Sequence, residues 1–253
     1  MPRRVTVSRK DRNHLCIWVV GDPRATLELS RGLSEGAARV NLNSIVHVAC
    51  VDQGNQPPDG IPVAVIAVPS LRTWSRLRHG SRKGPPPLRN SAWPWGVPSL
   101  TGVFREEVEE ANRCLRHCLS ILGFARKRSF ETGLLLLHPD DFGHAQSGTP
   151  ASVWQLSEAR ALARDLSLHR SAVYQCMFGD SVSPSPVGLL SSSNQPVPHA
   201  KQGWPKFHFS PRSVYISPLP KHCNCGQSHS ETSQRSSSSN RSVLTPSFIN
   251  ALV

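Results

Sequence analysis

The 253-residue sequence has no apolar run that approaches the length of a membrane span, so we expect no membrane insertion. No apolar segment of a secretory signal follows its basic opening, MPRRVTVSRKDRNH. Its seven cysteines are odd in number and scattered, which is not the pattern of a disulfide framework. We therefore predict a reduced, intracellular protein that is nuclear or cytoplasmic rather than secreted.

The chain is also poor in hydrophobic residues, at 38%, while serine, proline and glycine are abundant. This composition predicts a basic, disordered N-terminus over 1–13, a folded domain over 14–192 and a flexible, largely disordered Pro/Ser-rich extension over 193–253. The net charge of +12 favours anionic partners, with nucleic acid first and an acidic membrane surface second. The alternative is a basic, solvated surface without a specific ligand.

Short apolar runs alternate with segments of helical periodicity. The runs are rich in Val, Ile and Leu and cover residues 14–20, 44–51, 61–68, 133–137 and 171–178, with 187–192 as a possible sixth. The helical segments cover residues 25–40, 104–122 and 157–166, the last with Ser157 as its N-cap. Non-alternating runs are typical of strands that are buried on both faces. The alternation predicts an α/β domain with a mainly parallel sheet and flanking helices.

In an open α/β sheet, ligands bind beyond the carboxyl ends of the strands. Gly21 follows the first run, and the lack of a side chain there would let a backbone approach a cofactor. Asp52 ends the second run and would accept hydrogen bonds from ribose hydroxyls. However, VVGDPRATLELS is not a G-x-G-x-x-G loop, so a plain strand-to-helix turn is the alternative.

A basic loop, PSLRTWSRLRHGSRKGPPPLRN, follows the third run. It carries the cations that we predict to pair with phosphates, namely Arg72, Arg76, Arg78, Arg82 and Lys83. Trp74 would stack on a base. Alternatively, Trp74 fills the core of the protein and the cations are solvated. If the protein binds nucleic acid, we expect the contact to be through this loop.

Several motifs occur in a fixed order along residues 14–190. They are RTWSRLRH with GPPPLR, WGVPSL before FREEVEEANRCL, LLLLHPDDFG before PASVWQL, and YQCMFG. This order resembles a family of methyltransferase-like domains that are related to DNA cytosine-5 methyltransferases and found in mobile elements and protist genomes. The resemblance implies a Rossmann-like sheet that binds S-adenosylmethionine. It also implies a cysteine nucleophile at the end of one core strand and a base-holding glutamate at the end of the next.

The sequence departs from that family at both catalytic positions. Leu71, next to Ser70, stands where the resemblance implies the cysteine, and Leu137 stands where it implies the glutamate. Leucine is neither a nucleophile nor a hydrogen-bond partner, and a serine needs a positioned base. Asp140 and Asp141 would supply a carboxylate from a shifted position. We therefore predict an inactive methyltransferase-like fold; the alternatives are an active enzyme with a displaced site and a decayed mobile-element fragment without a ligand.

The segment HCNCGQSH places four side chains of the zinc-binding type close together in sequence. They are His222, Cys223, Cys225 and His229. Paired zinc ligands usually have two residues between the cysteines, so a polar turn without metal is the alternative. Cys176 or His208 would complete a zinc site in three dimensions. By itself, Cys176 is expected to be a buried packing residue rather than a nucleophile.

Overall fold

A computed structural model describes most of the chain between residues 14 and 226. The described residues are 14–39, 45–51, 64–74, 76–79, 85–140, 150–178, 186–193, 197–208, 214–220 and 223–226. The predicted site residues outside these ranges are Asp52, Arg82, Lys83, Asp141, His222 and His229. No helix within the described ranges combines the length and the apolar character that crossing a membrane requires.

Each predicted run or helical segment corresponds to an element of the structure. In chain order the elements are β1 (His14–Gly21), α1 (Pro23–Arg39), β2 (Ile45–Val51), β3 (Ala64–Val68), α2 (Gly102–Arg128), β4 (Gly133–Pro139), α3 (Ser157–Asp165), β5 (His169–Tyr174), β6 (Pro186–Ser191), β7 (Lys201–Gln202), β8 (Lys206–His208) and β9 (Val214–Ile216). Short 3-10 helices form at Arg76–His79, Val153–Gln155 and Gln175–Phe178. The run over 171–178 is therefore part strand and part 3-10 helix.

Seven strands form one sheet in the order β2-β1-β3-β4-β6-β5-β7, and β8 pairs separately with β9. The runs over 61–68, 133–137 and 171–178 share this sheet, as predicted. The fold is α/β, but the sheet is mixed rather than mainly parallel: β6 is antiparallel to β4 and β5, and β7 is antiparallel to β5. Parallel neighbours need a crossover of roughly a dozen residues or more, usually a helix. The connection from β5 to β6 is shorter and its described part is only a 3-10 turn.

Both faces of the sheet are buried, which explains why the apolar runs do not alternate. Trp18 and Val20 of β1 belong to the core under α2, while Val19 between them belongs to the core under α1. Leu137 of β4 lies in the second core with an exposed fraction of 1%. Side chains on a strand alternate between faces, so a strand covered on both sides is apolar throughout.

The helices bury the faces that their periodicity predicts, with two local differences. In α2 the first buried residue is Val108, whereas Phe104, one turn earlier, is exposed. In α3 the N-cap is Leu156, so the prediction of Ser157 was wrong. The preceding 3-10 turn is capped instead by Ser152, whose hydroxyl accepts a hydrogen bond from the backbone N–H of Trp154.

Part of the Pro/Ser-rich stretch after residue 192 packs on the domain. β7 adds to the edge of the sheet beside β5. The indole of Trp204 meets that of Trp154 edge to face, with 6.4 Å between the ring centroids. Farther along, Leu219 is buried, and the Tyr174 hydroxyl donates to the carbonyl oxygen of Pro220 at 2.6 Å. The serine-rich stretch after residue 226 lies outside the described residues.

Candidate functional site

The strand order reverses at β1. β2 lies on one side of β1, and the chain then crosses to place β3 on the other side of β1. Doubly wound folds bind ligands at such switch points. A cleft of about 30 Å³ lies there, and its lining includes Asp22, Ser70, Arg72 and Glu107. Ligand pockets usually measure about 300–1,000 Å³. S-adenosylmethionine therefore does not fit the cleft as it stands.

Gly21 and Asp22 make close internal contacts at the end of β1. Gly21 has φ 145°, and a Cβ atom there would lie 1.9 Å from the carbonyl oxygen of Val68. The N–H of Asp22 donates to that same oxygen at 2.9 Å. The Asp22 carboxylate accepts from the backbone N–H groups of Arg24 and Ala25 and so caps α1. The backbone approach predicted at Gly21 is thus made by β3, and the alternative of a plain turn describes this stretch.

The positions that match the methyltransferase family lie at the ends of β3 and β4. Ser70 is 8% exposed and lines the cleft. Leu71 is half-buried, and its carbonyl oxygen accepts from the N–H of Trp74 at 3.1 Å. Leu137 is a core residue. Three carboxylates line this cleft with Ser70: Asp22 caps α1, Glu107 pairs with Arg78, and Glu110 is exposed.

Asp140 does not provide a displaced carboxylate. It forms an ion pair with Arg170 at 2.6 Å, and both side chains have an exposed fraction of 0%. The hydroxyl of Ser217 donates a hydrogen bond to the other carboxylate oxygen. A carboxylate enclosed in this way cannot reach a substrate. In this structure the Asp140 carboxylate is therefore committed to Arg170 and Ser217.

Trp74 belongs to the core, which agrees with the alternative in which it fills the core of the protein. Its exposed fraction is 6%, and it packs with Leu115 and Val153. The indole meets the imidazole of His138 edge to face, with 5.7 Å between the ring centroids. It meets Trp95 in the same way at 6.5 Å. The alternative reading of Trp74 as a packing residue is the one that agrees with its burial.

A buried cation, Arg89, lies against the Trp74 ring at 4.1 Å from its centroid. Arg89 is 1% exposed, and its guanidinium donates to Thr73 Oγ1, Asn112 Oδ1 and the carbonyl oxygens of Pro94 and Val108. Burial lowers its pKa to about 9, and the charge of Glu107 opposes that shift. The guanidinium therefore stays charged at neutral pH and ties Thr73 and Pro94 to α2. Sequence reasoning missed this role, because an arginine after three prolines looks like the other cations of the loop.

His138 lies between Trp74 and Trp154 and has an exposed fraction of 4%. Neither ring nitrogen makes a hydrogen bond of normal geometry to a described residue. Burial lowers the pKa of His138 to about 3; the backbone of Pro139 partly opposes this shift, and the charge of Arg89 adds to it. The imidazole is thus neutral at physiological pH and enclosed by aromatic rings.

The predicted phosphate-binding cations fall into distinct groups. Arg72 is exposed at the edge of the cleft. Arg78 is mostly buried, and it donates to Glu107 at 2.6 Å and to the carbonyl oxygen of Arg72 at 3.2 Å. Arg76 begins a 3-10 helix and is described at its backbone only. Of the predicted set, Arg78 is therefore committed to an internal ion pair.

A second candidate site lies at the end of β5, away from the cleft. The Sγ atoms of Cys176, Cys223 and Cys225 all lie within 4.8 Å of one another. The structure thus brings together two of the predicted zinc ligands with Cys176, which we expected to be able to complete the site. The side chain of His208 is outside the description.

Comparisons of the chain with protein-family models, with curated proteins and with solved structures found no match. The resemblance to methyltransferases therefore stays a prediction from the sequence motifs.

Proposed function

We propose that this domain is an inactive relative of the DNA cytosine-5 methyltransferases that binds nucleic acid through the cations of its basic loop. The main observation in favour of an inactive relative is the buried aromatic cluster at the ends of β3 and β4. The resemblance puts the nucleophile and the base-holding acid at Leu71 and Leu137. Next to them, Trp74 and His138 are in edge-to-face contact and buried. A flipped-out pyrimidine would have to displace this cluster before it met any reactive group.

The strand order supports a Rossmann-like architecture. The order β2-β1-β3-β4 agrees with the start of a doubly wound sheet, in which the switch point lies between the first and third strands. β1, β2, β3, β4 and β5 all point the same way, since β6 is antiparallel to both β4 and β5. The fold can thus be of the methyltransferase type while its cofactor cleft is nearly closed.

The proposal that the domain binds nucleic acid rests on the net charge of the chain and on the position of Arg72. The chain carries a net charge of +12, and Arg72 is exposed beside the switch point. Phosphate contacts supply most non-specific affinity for nucleic acid and are weakened by salt. Because Trp74 is buried, base stacking by this residue is not part of the proposal. Binding should therefore depend on charge and show little preference for sequence.

The first experiment tests catalysis and cofactor binding. Calorimetric titration with S-adenosylmethionine should give no binding heat, and labelled S-adenosylmethionine should leave mixed DNA unlabelled above a heat-killed control. Methyl transfer to DNA would overturn the assignment as an inactive relative. Transfer that Ser70→Ala abolishes would identify that hydroxyl as the group in use.

The second experiment tests the loop. A variant with Arg72, Arg76, Arg82 and Lys83 changed to Gln should bind duplex and single-stranded DNA much more weakly than the parent. The matched control changes four exposed cations elsewhere to Gln, namely Arg31, Lys127, Lys201 and Lys206. Both variants lose the same net charge, so only a local site makes them differ. Equal binding by the two variants at every salt concentration would show that the loop is not the site.

A further inference from the structure

We propose that Cys176, Cys223 and Cys225 bind a zinc ion that cross-links the C-terminal segment to the edge of the sheet. This inference is independent of the proposed function, because the three cysteines lie apart from the cleft and the basic loop. Cys176 belongs to the 3-10 helix that follows β5, and the other two belong to the segment after β9. The fold therefore brings donors together from two distant parts of the sequence.

The distances between the sulfur atoms suit a tetrahedral zinc site. A Zn–S bond of about 2.3 Å and tetrahedral angles give sulfur atoms about 3.8 Å apart. The Sγ atoms of Cys223 and Cys225 are 3.3 Å apart, and all three Sγ atoms lie within 4.8 Å. A disulfide needs about 2.05 Å, so the structure holds thiols rather than a cross-link. Shifts of about 1 Å or less in the separations between sulfur atoms would bring them to the spacing of a tetrahedral zinc site.

The surroundings favour thiolate coordination of a soft metal. Cys176 is 1% exposed and packs with Ala172, Tyr174 and Leu219, while Cys223 and Cys225 are half-buried. Three protonated thiols that face one another in an apolar site contribute little to stability. Zn²⁺ would replace their protons and bind three thiolates. Water or one more protein donor completes the tetrahedron.

The segment that carries two of these cysteines has little core of its own. It is attached through buried Leu219, through the hydrogen bond from Tyr174 to Pro220, and through the contact of Ser217 with Asp140. Small structural units commonly depend on a metal or a disulfide, because they bury too little apolar area. A zinc ion would fix this segment beside β5 in the reducing compartment that the cysteine pattern predicts.

The full-length chain, purified with reductant and zinc, should retain about one zinc per chain by elemental mass spectrometry, as one tetrahedral site requires. Replacing zinc with cobalt should give intense visible bands of tetrahedral Co²⁺ and a thiolate charge-transfer band. Cys223→Ser and Cys225→Ser should each lose most of the bound metal. Cys114→Ala removes a buried cysteine outside the cluster and should keep it.

A structural readout separates this site from zinc bound elsewhere. Removing zinc from the parent with a chelator should speed proteolysis within residues 214–226 and expose three more thiols to a thiol reagent. Readdition of zinc should reverse both effects. The proposal is overturned if the reduced parent retains no zinc, or if both serine variants bind as much as the parent. An intact mass that shows a Cys223–Cys225 disulfide under reductant would overturn it as well.

Discussion

The burial of His138 makes the stability of the domain depend on pH in a way that one substitution can isolate. Its imidazole is held at a pKa of about 3 by the aromatic cluster, whereas an unfolded histidine has a pKa of about 6.5. The unfolded chain therefore binds more protons than the folded one between these two values. Stability is fully present above about pH 6.5 and is lost as the pH falls through this window.

The size of the effect follows from the proton that the folded state excludes. At about pH 5, an unfolded histidine is almost fully protonated, so keeping His138 neutral costs about RT ln(1 + 10^1.5), or about 2 kcal/mol. This value requires only that the pKa of folded His138 lie well below 5, and burial lowers that pKa to about 3. Between about pH 7.5 and about pH 5, His138→Leu should therefore lose about 2 kcal/mol less stability than the parent.

The free energy of unfolding of the parent and the variant is measured in urea at both pH values, with tryptophan fluorescence as the signal. The neutral-pH difference is not diagnostic, because Leu removes two unpartnered nitrogens and also the edge-to-face ring contacts. Only the change with pH tests the burial of the imidazole. His169→Gln, which removes an exposed histidine from β5, is the matched control. Equal pH dependence in the parent and His138→Leu would refute an excluded, neutral His138.

Three further substitutions test the packing. Trp74→Ala should lower the free energy of unfolding by about 3–5 kcal/mol in chemical denaturation. Trp93→Ala, at a 51% exposed position, should change it by no more than about 0.5 kcal/mol. A small loss at Trp74 would contradict its place in the core. Gly21→Ala should destabilise the fold severely, because the new Cβ would clash with the backbone of Val68 and because Gly21 has a positive φ. A melting temperature close to that of the parent would exclude this contact. Gly123→Ala should stabilise α2 by about 0.5–1 kcal/mol, because alanine favours a helix over glycine and the nearest atom to the new Cβ would be 3.9 Å away. A lower melting temperature would indicate that the new methyl group is crowded.

The sequence predicted the elements well because both sheet faces are covered. Continuous apolar runs and the periodicity of 104–122 leave little ambiguity between strand and helix. It did not predict the reversal of β6, because strand order depends on how a connection packs and not on the composition of the strand. It also missed β7 and Trp204, since a two-residue strand in a Pro-rich stretch has no periodicity to detect.

The site was harder to predict for a related reason. Trp74 has the same chemistry whether it stacks on a base or fills a core, and only its neighbours decide between the two. Arg89 and Arg72 are likewise identical in sequence terms, yet one has four partners inside the protein and the other is exposed. The cysteine cluster could be anticipated, because only one residue separates Cys223 from Cys225 and Cys176 was among the donors expected to complete a site, although Cys176 meets them only in the fold.

The internal use of cations also limits how strongly the loop can bind nucleic acid. Of the five loop cations predicted to contact phosphates, Arg78 is committed to Glu107, which leaves at most four. Each neutralised phosphate of duplex DNA contributes about −0.9 to the slope of log K against log salt, so the loop alone gives a slope no steeper than about −3.6. Binding measured between about 50 and 200 mM salt tests this limit. A steeper slope that survives replacement of the four loop cations would place the nucleic-acid surface elsewhere on the domain.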